Sequence, residues 1–528
     1  MSSQQIANNP PTVEVYNPRT GELLYSFQEI TEQDVEKMYE TAQQAFEKIS
    51  NMTVKERLEE LDKIKQYLIK NREEIAKFIT KETGKCLTDA LILELFPAVD
   101  QIDYYQKYAE KILRDQKVPT PLLLMGKKSK IVYEPLGVIL IISPWNYPFH
   151  LSFVPFVCAF VAGNSAIIKP SRLTPLRGLY EKIIEESGFM KGALQIAYAS
   201  RRTANLLIEK RPAKIHFTGS VEVGKTIMRQ ASQYLIPVEL ELGGKDPMIV
   251  FEDVNLERTV NGAIWGSFTN CGQTCTSVER IFVQETIYDE FVKLMVEKVK
   301  KLRTLANTPN PTDEAELDVG CMTADFQIEE IESQIQEAKE RGCEILCGGA
   351  REGKSHAFPP TIVTKVGRDY KIQYHETFGP VVTITPFKTE EEAIKMANDS
   401  PYGLSASVWS RDLKRAERIA RKIVTGNVSI NNVLATQANS ALPFGGIKDS
   451  GFGRYRGAQG LYAFSNIKSI LIDRQWGRLE AYWYPYSREK FNLFSNVFES
   501  VFKRGIMPLL KTAWIGLKLE IHSWKHRL

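Results

Sequence analysis

The sequence lacks several features that would assign it to other classes of protein. It has no signal peptide, and its seven cysteines are odd in number and widely scattered, which argues against a disulfide framework. No histidine-rich or second paired cysteine cluster completes a zinc site, so we expect no metal. The formal net charge of +4 is small for 528 residues and does not suggest a nucleic-acid partner. These absences predict a metal-free, cytoplasmic protein.

Charged residues are also absent from residues 135–168, and a stretch of this length superficially suits a transmembrane helix. Pro144, Pro148 and Pro155 interrupt it, so a single lipid-exposed helix is a poor interpretation. A buried strand, a loop, a buried helix and a second strand explain the stretch better.

Short apolar runs alternate with helical patterns from Pro135 onward, and a second alternating region begins near Lys245, after a Gly-Gly pair. This alternation is typical of right-handed βαβ crossovers and mainly parallel sheets. We therefore predict an α/β fold with two such domains. The predicted strands are Leu136–Ile142, Ala166–Lys169, Leu194–Tyr198, Lys214–Phe217 and Val238–Leu242 in the first region, and Arg280–Gln284, Thr361–Val363, Val381–Pro386, Ser405–Trp409 and Val428–Asn431 in the second.

The three spaced glycines of a Rossmann fingerprint are missing. The nearest phosphate-binding candidate is Gly219-Ser220, which follows a predicted strand and opens a helix. Backbone N–H groups and the positive end of the helix dipole can face a phosphate there. An ordinary N-cap explains the same residues equally well.

Two polar residues beside predicted strands could take part in catalysis. Asn146 lies just past a strand end, where its amide could donate to an oxyanion, although asparagine beside proline is also a common turn former. Glu241 lies two residues after Glu239 on one predicted strand, among apolar neighbours. Such a carboxylate is a candidate general base with a raised pKa, whereas an exposed strand glutamate is the commoner case.

Cys275 lies in a stretch of small and polar residues, Asn270-Cys271-Gly272-Gln273-Thr274-Cys275. A thiol becomes a good nucleophile near neutral pH when its pKa is modestly depressed. A lone cysteine in a large chain is more often a small buried hydrophobe. Cys271, four residues upstream, is interpreted as structural rather than as a second nucleophile.

The motifs together resemble the aldehyde dehydrogenase superfamily in order and approximate spacing, over roughly residues 12–476. They are Asn17-Pro18-Arg19-Thr20-Gly21-Glu22, Pro144-Trp145-Asn146-Tyr147-Pro148, Leu240-Glu241-Leu242-Gly243-Gly244-Lys245, Asn270 to Cys275, His375-Glu376-Thr377-Phe378-Gly379-Pro380, and Leu442 to Gly451. The resemblance implies a Rossmann-like parallel-sheet cofactor domain, a second α/β catalytic domain and a small oligomerisation β-flap.

The resemblance also implies a reaction. Cys275 would attack an aldehyde, Asn146 and the Cys275 N–H would hold the oxyanion, and Glu241 would activate the water that hydrolyses a thioester to a carboxylic acid. The cofactor would be NAD or NADP. Its contacts would be Trp145, Lys169, Gly219, Ser220, Glu376 and Phe378. Arg172 stands where many NAD-preferring relatives carry glutamate, so NADP could be tolerated or preferred.

The implied domains are residues 12–118 and 136–243 for the cofactor, 244–445 for catalysis, and 119–135 with 446–476 for assembly into a homodimer or tetramer. An uncharged stretch at Val433–Leu442 and the apolar side chains of Phe149, Phe153 and Phe268 favour a hydrophobic aldehyde; a semialdehyde is the alternative. A cysteine hydrolase and a catalytically silent protein are the rival functions. The former lacks a histidine in a suitable context, and retention of Asn146, Glu241 and Cys275 argues against the latter.

The C-terminal extension, residues 477–528, is basic and aromatic. From Arg478 to Leu528 there are nine Lys/Arg and four Asp/Glu, a balance of +5. Phe491, Phe494, Phe498 and Phe502 form a helical stripe. The extension could pack on its own subunit or a partner subunit, or make peripheral contact with a membrane.

Overall fold

A computed structural model describes residues 11–121, 124, 126–308, 313–351, 353–473 and 479–526. The predicted start of the C-terminal extension, near Gln475 to Arg478, lies outside these residues. The chain divides into two compact units. The larger contains residues 1–115 and 132–468, and the smaller contains residues 116–131 and 469–528.

An antiparallel hairpin and a run of helices precede the first parallel sheet. Thr31 and Thr53 each begin a helix with a capping box, in which side chain and backbone satisfy each other's hydrogen bonds. A one-turn π-helix at Leu91–Leu95 links two of the helices. The elements are β1 (Thr12–Tyr16), β2 (Leu23–Gln28), α1 (Glu32–Ile49), α2 (Val54–Lys70), α3 (Arg72–Thr83), α4 (Leu87–Ala90) and α5 (Phe96–Leu113).

The next region alternates strands and helices, as the apolar runs predicted. The helix at His150–Val161 is buried throughout, which explains why its sequence carries no charge. The elements are β3 (Gln116–Val118), β4 (Lys128–Pro135), β5 (Val138–Ile142), α6 (His150–Val161), β6 (Ser165–Lys169), α7 (Leu179–Ser187), β7 (Leu194–Ile196), α8 (Arg201–Glu209), β8 (Lys214–Thr218), α9 (Val221–Ala231) and β9 (Val238–Glu241).

A second alternating region follows the Gly243-Gly244 pair. Its elements are β10 (Asp246–Val250), α10 (Leu256–Phe268), β11 (Val278–Gln284), α11 (Tyr288–Val299), α12 (Asp325–Glu340), β12 (Glu344–Cys347), β13 (Thr361–Thr364), α13 (Lys371–Tyr374), β14 (Val381–Phe387), α14 (Glu390–Asn398), β15 (Ser405–Trp409), α15 (Leu413–Ala420) and β16 (Asn427–Ile430). The chain continues through β17 (Gly451–Phe452), α16 (Gly457–Ala463), β18 (Ser465–Ile472), α17 (Arg488–Val501) and α18 (Ile506–Lys525).

The strands form two large sheets and two small ones. The first large sheet has the order β17-β9-β8-β5-β6-β7, with β5 to β9 parallel, and the second has the order β12-β13-β14-β11-β10-β15-β16. Only β12 runs antiparallel in the second sheet. A three-stranded sheet has the order β18-β4-β3. The predicted α/β fold with parallel sheets is confirmed.

The first sheet reverses its strand order between β5 and β8. The chain passes from β5 outward through β6 to β7, then returns to the other side of β5 with β8 and β9. Loops that leave neighbouring strands in opposite directions open a crevice at the carboxyl edge of a parallel sheet. This crevice is where a ligand is expected. Of the helices that the structure describes, none combines the length and apolar content needed to cross a bilayer.

Candidate active site

The loops after β5 and β8 carry three of the residues singled out in the sequence. Asn146 lies four residues past β5, and Gly219 and Ser220 follow β8 directly. Ser220 occupies the N-cap of α9, but its side chain makes no capping hydrogen bond. A β-carbon on Gly219 would lie 2.5 Å from Phe217 Cζ, so the turn requires glycine. The Ser220 hydroxyl and the first turn of α9 are therefore available to a ligand.

Asn146 is buried and held from both ends. Its side-chain Nδ2 donates to the carbonyl of Gln273 at 2.9 Å, and its own carbonyl accepts from Lys85 Nζ at 2.7 Å and Asn270 Nδ2 at 3.1 Å. These bonds join the loop after β5 to the loop that carries Cys275. One hydrogen of the Asn146 amide is used by Gln273, which leaves the second for another acceptor.

The ammonium group that holds Asn146 belongs to a fully buried ion pair. Lys85 pairs with Glu94, and both side chains are inaccessible to solvent. The other carboxylate oxygen of Glu94 accepts from the backbone N–H groups of Phe149 at 2.9 Å and His150 at 3.0 Å, at the start of α6. A buried charge is tolerated only when it is paired and hydrogen-bonded, as both are here. The pair therefore fixes both the beginning of α6 and the Asn146 loop.

Cys275 follows a left-handed turn. Asn270, Cys271 and Gly272 have φ values of +50°, +56° and +70°. Asp89 of α4 stabilises this turn by accepting from the Asn270 N–H at 2.9 Å. A β-carbon on Gly272 would lie 2.0 Å from the carbonyl oxygen of Gly379, so only glycine lets these two loops meet.

The Cys275 thiol is surrounded by carboxyl groups rather than by positive charge. Burial raises its pKa first, and the carboxylates of Glu376, Asp246 and Glu241 raise it further. Desolvation and like charge therefore both favour the neutral thiol. The backbone N–H of Cys275 acts in the opposite direction, since it lies against its own sulfur.

Cys271 has a different environment from Cys275. It is fully buried in the hydrophobic core of the second sheet, and its thiol pKa is raised well above the ordinary value by burial. Cys275 is half-buried, so it is the more accessible of the two.

Glu241 ends β9 and is 3% exposed. Within the described residues neither of its carboxyl oxygens has a hydrogen-bond partner. Burial raises its pKa well above the ordinary value, and the neighbouring Glu239 carboxylate adds to this effect, while Arg454 and Arg456 oppose it. Glu239 itself forms an ion pair with Lys214 at 2.7 Å. Glu241 is therefore an unpaired buried carboxyl whose charge influences Cys275.

Glu376 lies beside the Gly-Gly pair, where its Oε1 accepts from the Gly244 N–H at 2.9 Å. A β-carbon on Gly244 would lie 2.3 Å from the Cys275 carbonyl oxygen, so this loop also borders the thiol loop. Burial raises the pKa of Glu376 to about 8, with a further contribution from Glu279. Glu279, which pairs with Lys245, accepts from the N–H of Phe378 at 3.0 Å.

Phe378 and Trp145 form an aromatic wall. Their ring centroids are 5.4 Å apart at an interplanar angle of 82°, an edge-to-face contact. Phe378 adopts a positive φ of +49°, and the Glu279 carboxylate holds its backbone in place. Trp145 is held through its carbonyl, which accepts from Thr174 Oγ1 at 2.9 Å.

Lys169 and Arg172 lie at and after the end of β6. Burial and, to a lesser extent, the nearby Arg172 guanidinium together lower the pKa of Lys169 to about 8, while the Glu29 carboxylate opposes them. Arg172 is 51% exposed, and its Nε lies 3.2 Å from Oε1 of Glu29, a carboxylate that is 4% exposed. The charge of Arg172 is therefore partly compensated by a residue that the sequence analysis missed.

The crevice fits a dinucleotide. Ser143 Oγ, after β5, and Thr218 Oγ1, at the end of β8, are buried without a hydrogen-bond partner among the described residues. Unpaired polar groups in such a position are costly unless a ligand or water satisfies them. Glycine, hydroxyl and helix N-terminus are groups that can face a phosphate. The Lys169 ammonium is a hydrogen-bond donor and the Glu29 carboxylate an acceptor, so these residues are compatible with a nicotinamide dinucleotide.

Several residues interpreted as lining the substrate path lie elsewhere. Phe149, Phe153 and Phe268 are at most 1% exposed and pack within the hydrophobic cores. The loop at Val433–Leu442 does approach the thiol, since Thr276 Oγ1 lies 3.3 Å from Gln437 Oε1.

Exposed apolar residues border that loop. Ser440 donates to Asp100 of α5, one helical turn from Phe96, which is 67% exposed. Leu442 is 42% exposed. Both side chains are apolar and exposed, and Phe96 was not among the sequence-based candidates.

The residues missed by sequence analysis lie far from the motifs in the chain. Lys85, Asp89 and Glu29 have ordinary polar neighbours, and nothing local distinguishes them. Glu94 did carry a signal, because a single carboxylate in the apolar run Leu91–Leu95 is unusual.

The fold and the site define a class of enzyme. A thiol, an amide and an unpaired carboxyl meet beside a dinucleotide-binding crevice, as in an oxidoreductase that acts through cysteine. The chain belongs to the aldehyde dehydrogenase family, whose family model matches residues 6–470. It is an NAD(P)-dependent enzyme that oxidises an aldehyde.

Comparisons with individual proteins agree. The chain is 37% identical to 4,4'-diapolycopene aldehyde oxidase of Methylomonas sp over 94% of this chain and 92% of the relative. It is 34% identical to the chloroplastic betaine aldehyde dehydrogenase of Atriplex hortensis over 89% and 95% of the two chains. A crystal structure of a betaine aldehyde dehydrogenase point mutant from Staphylococcus aureus with NAD+ has a TM-score of 0.83 and 32% identity, covering 90% of this chain and 96% of the other.

Proposed function

We propose that Cys275 is the nucleophile, Asn146 the oxyanion donor and Glu241 the base of this aldehyde dehydrogenase. The observation that carries the proposal is the convergence of these three groups. The Asn146 amide bonds to the Cys275 loop at Gln273, and the Glu241 carboxylate acts electrostatically on the Cys275 thiol.

The thiol must lose its proton before it attacks. Since burial and nearby carboxylates raise its pKa, the thiol is protonated at rest, and a base has to take the proton during attack. In this proposal Glu241, which is buried and has no hydrogen-bond partner among the described residues, accepts it. Sulfur then bonds to the aldehyde carbon, and the carbonyl π electrons move to oxygen, which becomes the oxyanion of a thiohemiacetal.

The oxyanion lies between two donors in this proposal, the second hydrogen of the Asn146 amide and the Cys275 backbone N–H. Donors that are fixed before the reaction stabilise charge as it develops, and each is worth about 3–4 kcal/mol. Lys85, which is paired with Glu94, donates to the backbone carbonyl of Asn146 and so fixes the position of the Asn146 side-chain amide. Lys85 is thus a positioning residue.

A nicotinamide dinucleotide, when bound, supplies the acceptor for the hydride that leaves the thiohemiacetal carbon. Residues 12–118 and 136–243 would hold it, with Lys169 on the adenosine ribose, Gly219 and Ser220 at the pyrophosphate, and Glu376 on the nicotinamide ribose. Phe378 and Trp145 would pack beside the ring and the phosphates.

Residues 244–445 would carry the catalytic thiol. Glu241 first releases the thiol proton to solvent and then takes a proton from water as the water attacks the thioester carbonyl. The C–S bond breaks, the carboxylic acid leaves, and Glu241 gives its proton to the Cys275 thiolate.

Arg172 and Glu29 would set the choice between NAD and NADP. A guanidinium attracts the 2′-phosphate of NADP, while a carboxylate accepts from the ribose hydroxyl of NAD and repels that phosphate. Because the two side chains form an ion pair, both cofactors are accepted in this proposal.

The substrate would be a hydrophobic aliphatic or aromatic aldehyde. The uncharged Val433–Leu442 loop beside Thr276 and the exposed side chains of Phe96 and Leu442 support this. The Methylomonas relative acts on 4,4'-diapolycopene aldehyde. A semialdehyde is the second candidate.

An absorbance assay of reduced cofactor with linear aldehydes of increasing length tests the substrate class. If each added methylene is buried, kcat/KM rises by about fourfold per carbon until the path is filled. Succinate semialdehyde and betaine aldehyde serve as charged comparisons. A preference for either charged aldehyde would contradict a hydrophobic substrate.

The enzyme would work as a homodimer or tetramer in a reducing compartment, the cytoplasm. Strand β18 leaves Ile467, Leu471 and Ile472 between 41% and 56% exposed, and an apolar strand of this kind is normally covered by a partner. Residues 119–135 and 446–476 would supply the interface. All seven cysteines are free, which agrees with reducing conditions. Mass measurement by light scattering tests the assembly.

A further inference from the structure

The two C-terminal helices bury a mixed set of side chains and leave a large apolar surface exposed. Ser500 of α17 and Thr512 of α18 meet across the interface with their hydroxyl oxygens 2.7 Å apart. Each hydroxyl also bonds to a backbone carbonyl of its own helix, both at 2.9 Å. The other buried residues of α18 are Ile515, Leu519, His522 and Ser523. In water, the outer face of a helix pair is normally polar.

The outer surface of this helix pair is strongly apolar. Along α18 the exposed residues Leu510, Trp514, Leu517, Ile521 and Trp524 follow one another at spacings of four, three, four and three, which places them on one helix face. The remaining exposed apolar residues are Ile506, Met507 and Leu509 on α18 and Phe491, Phe498 and Phe502 along α17. Single exposed apolar residues are common, but a contiguous face of this kind marks an interaction surface.

Lysines line one side of the apolar face of α18. Lys511, Lys518 and Lys525 lie seven residues apart, each directly after one of the face residues. The Lys518 ammonium lies 3.5 Å from the centroid of the Trp514 ring, so its aliphatic stem runs along the apolar face while its charge stays at the border. From Arg488 to His526 there are seven Lys/Arg and three Asp/Glu, a balance of +4.

We propose that α17 and α18 dock flat on a lipid bilayer that contains acidic phospholipids. The aromatic and aliphatic face enters the boundary between headgroups and acyl chains, and the lysine row contacts the anionic headgroups. Polar side chains that bond between helices, with apolar side chains outward, are the arrangement that suits helices in contact with lipid.

A second copy of this chain is the other occupant to consider for the α18 face. Its four-three spacing suits a coiled coil, but a coiled coil buries a narrow seam of two positions in seven. Here Ile506, Met507 and Leu509 broaden the apolar face beyond such a seam. A repeating row of lysines beside it would also place like charges near one another in a symmetric pair, whereas acidic headgroups complement it.

Cosedimentation of the full-length protein with vesicles tests the proposal. The vesicles are phosphatidylcholine alone and phosphatidylcholine mixed with phosphatidylserine. We expect binding to the mixed vesicles that weakens with salt, since surface charge is screened. Changing Lys511, Lys518 and Lys525 together to glutamine lowers the partition coefficient on mixed vesicles by about a hundredfold, and leaves binding to phosphatidylcholine alone little changed.

A second variant tests the apolar face. Changing Trp514, Leu517 and Ile521 together to glutamine should abolish binding to both kinds of vesicle. The matched control is Leu413→Gln, which alters an apolar side chain that is 59% exposed at the start of α15 and should bind as the unaltered protein does. Helix content by circular dichroism and aldehyde oxidation in solution, both retained, show that loss of binding is not loss of folding.

Two results would overturn the proposal. One is failure of the unaltered protein to sediment with the mixed vesicles. The other concerns the variant with glutamine at Trp514, Leu517 and Ile521. If it binds vesicles as the unaltered protein does but has a lower mass in light scattering, the face belongs to a contact with a second copy of the chain. Aldehyde oxidation is measured without vesicles, so failure of the proposed catalytic roles would show separately.

Discussion

The catalytic loop and the C-terminal helix pair bury polar groups for opposite reasons. Around Cys275, buried groups such as Asn146 and Asp89 are hydrogen-bonded inside a large apolar core, and they hold a reactive group in place. Between α17 and α18, Ser500 and Thr512 bond to each other, while a larger set of apolar residues on the two helices is exposed. The difference shows that the side chains an element buries depend on the surroundings of that element. Around Cys275 the surroundings are a hydrophobic core, and at α17 and α18 they are an outer surface that needs a partner.

The strongest test of the catalytic region is removal of its nucleophile. Cys275→Ala should lower kcat/KM by about 10⁴-fold or more, because no sulfur remains to form the covalent intermediate. Equilibrium cofactor binding, followed by fluorescence titration, should persist. Cys271→Ala is the matched control, and it should stay active when measured below its unfolding temperature. Activity in Cys275→Ala and none in folded Cys271→Ala would assign the reaction to the other sulfur.

Replacing the proposed base comes next in size. Glu241→Gln should lower steady-state turnover by about 10²–10⁴-fold, because water is no longer activated to hydrolyse the thioester. The first turnover, followed by stopped-flow absorbance of reduced cofactor, should slow as well, because Glu241 also takes the thiol proton in this proposal. Glu239→Gln, at the residue paired with Lys214, is the control and should keep multiple turnover.

The rate of the thioester hydrolysis step should increase with pH. A base acts in its deprotonated form, and the pKa of Glu241 is raised by burial. Turnover of the unaltered enzyme should therefore increase with pH through that raised pKa, and the increase should vanish from the hydrolysis step of Glu241→Gln. A hydrolysis rate with the same pH profile in both proteins would show that another group titrates.

Replacing either side chain of the Arg172–Glu29 pair should change the kcat/KM ratio of NADP to NAD by about tenfold, in opposite directions for the two variants. Glu29→Gln removes the carboxylate that opposes a 2′-phosphate and should move the kcat/KM ratio toward NADP. Arg172→Gln should move it toward NAD. Dissociation constants of the two cofactors, measured by titration, should change in the same sense. Equal ratios in both variants would separate this ion pair from cofactor recognition.

The smallest expected effect is on the stability of the helix pair. A more apolar side chain at one buried position should destabilise it, which is the opposite of the usual result in a hydrophobic core. Thr512→Val makes the interface more apolar yet removes the bond to Ser500, so α18 should open more easily by about 1 kcal/mol, or about fivefold faster amide hydrogen exchange. Leu517→Gln makes the outside more polar and should leave exchange in solution nearly unchanged. Faster exchange only in Leu517→Gln would indicate that the apolar face is already packed.

Much of the fold could be predicted because its signals are local. An uncharged apolar run became the buried strand β5, and the uncharged stretch at 135–168 became a strand, a loop, a buried helix and a strand. Helix ends were harder to place. Helix α7, for example, begins at Leu179, because Gly178 in a left-handed conformation forms its N-cap.

The site was predictable only in part. The residues of the conspicuous motifs, including Asn146, Glu241, Glu376 and Cys275, could be found by their spacing and resemblance. Lys85 and Glu29 could not, since their partners lie 61 and 143 residues away and no local pattern marks them. The prediction that Phe149, Phe153 and Phe268 lie near the substrate was wrong for a related reason. The sequence alone does not reveal whether an aromatic side chain faces a core or a channel.

The sequence by itself determined the α/β alternation, the family and the candidate reactive side chains, because each depends on residue order or short-range spacing. Only the tertiary structure decided how those side chains are tuned. It brought carboxylates to the Cys275 thiol and so raised its pKa, neutralised Arg172 with Glu29, and left the aromatic face of α18 outward. Charge interactions and burial act through space, and residues distant in the chain set both.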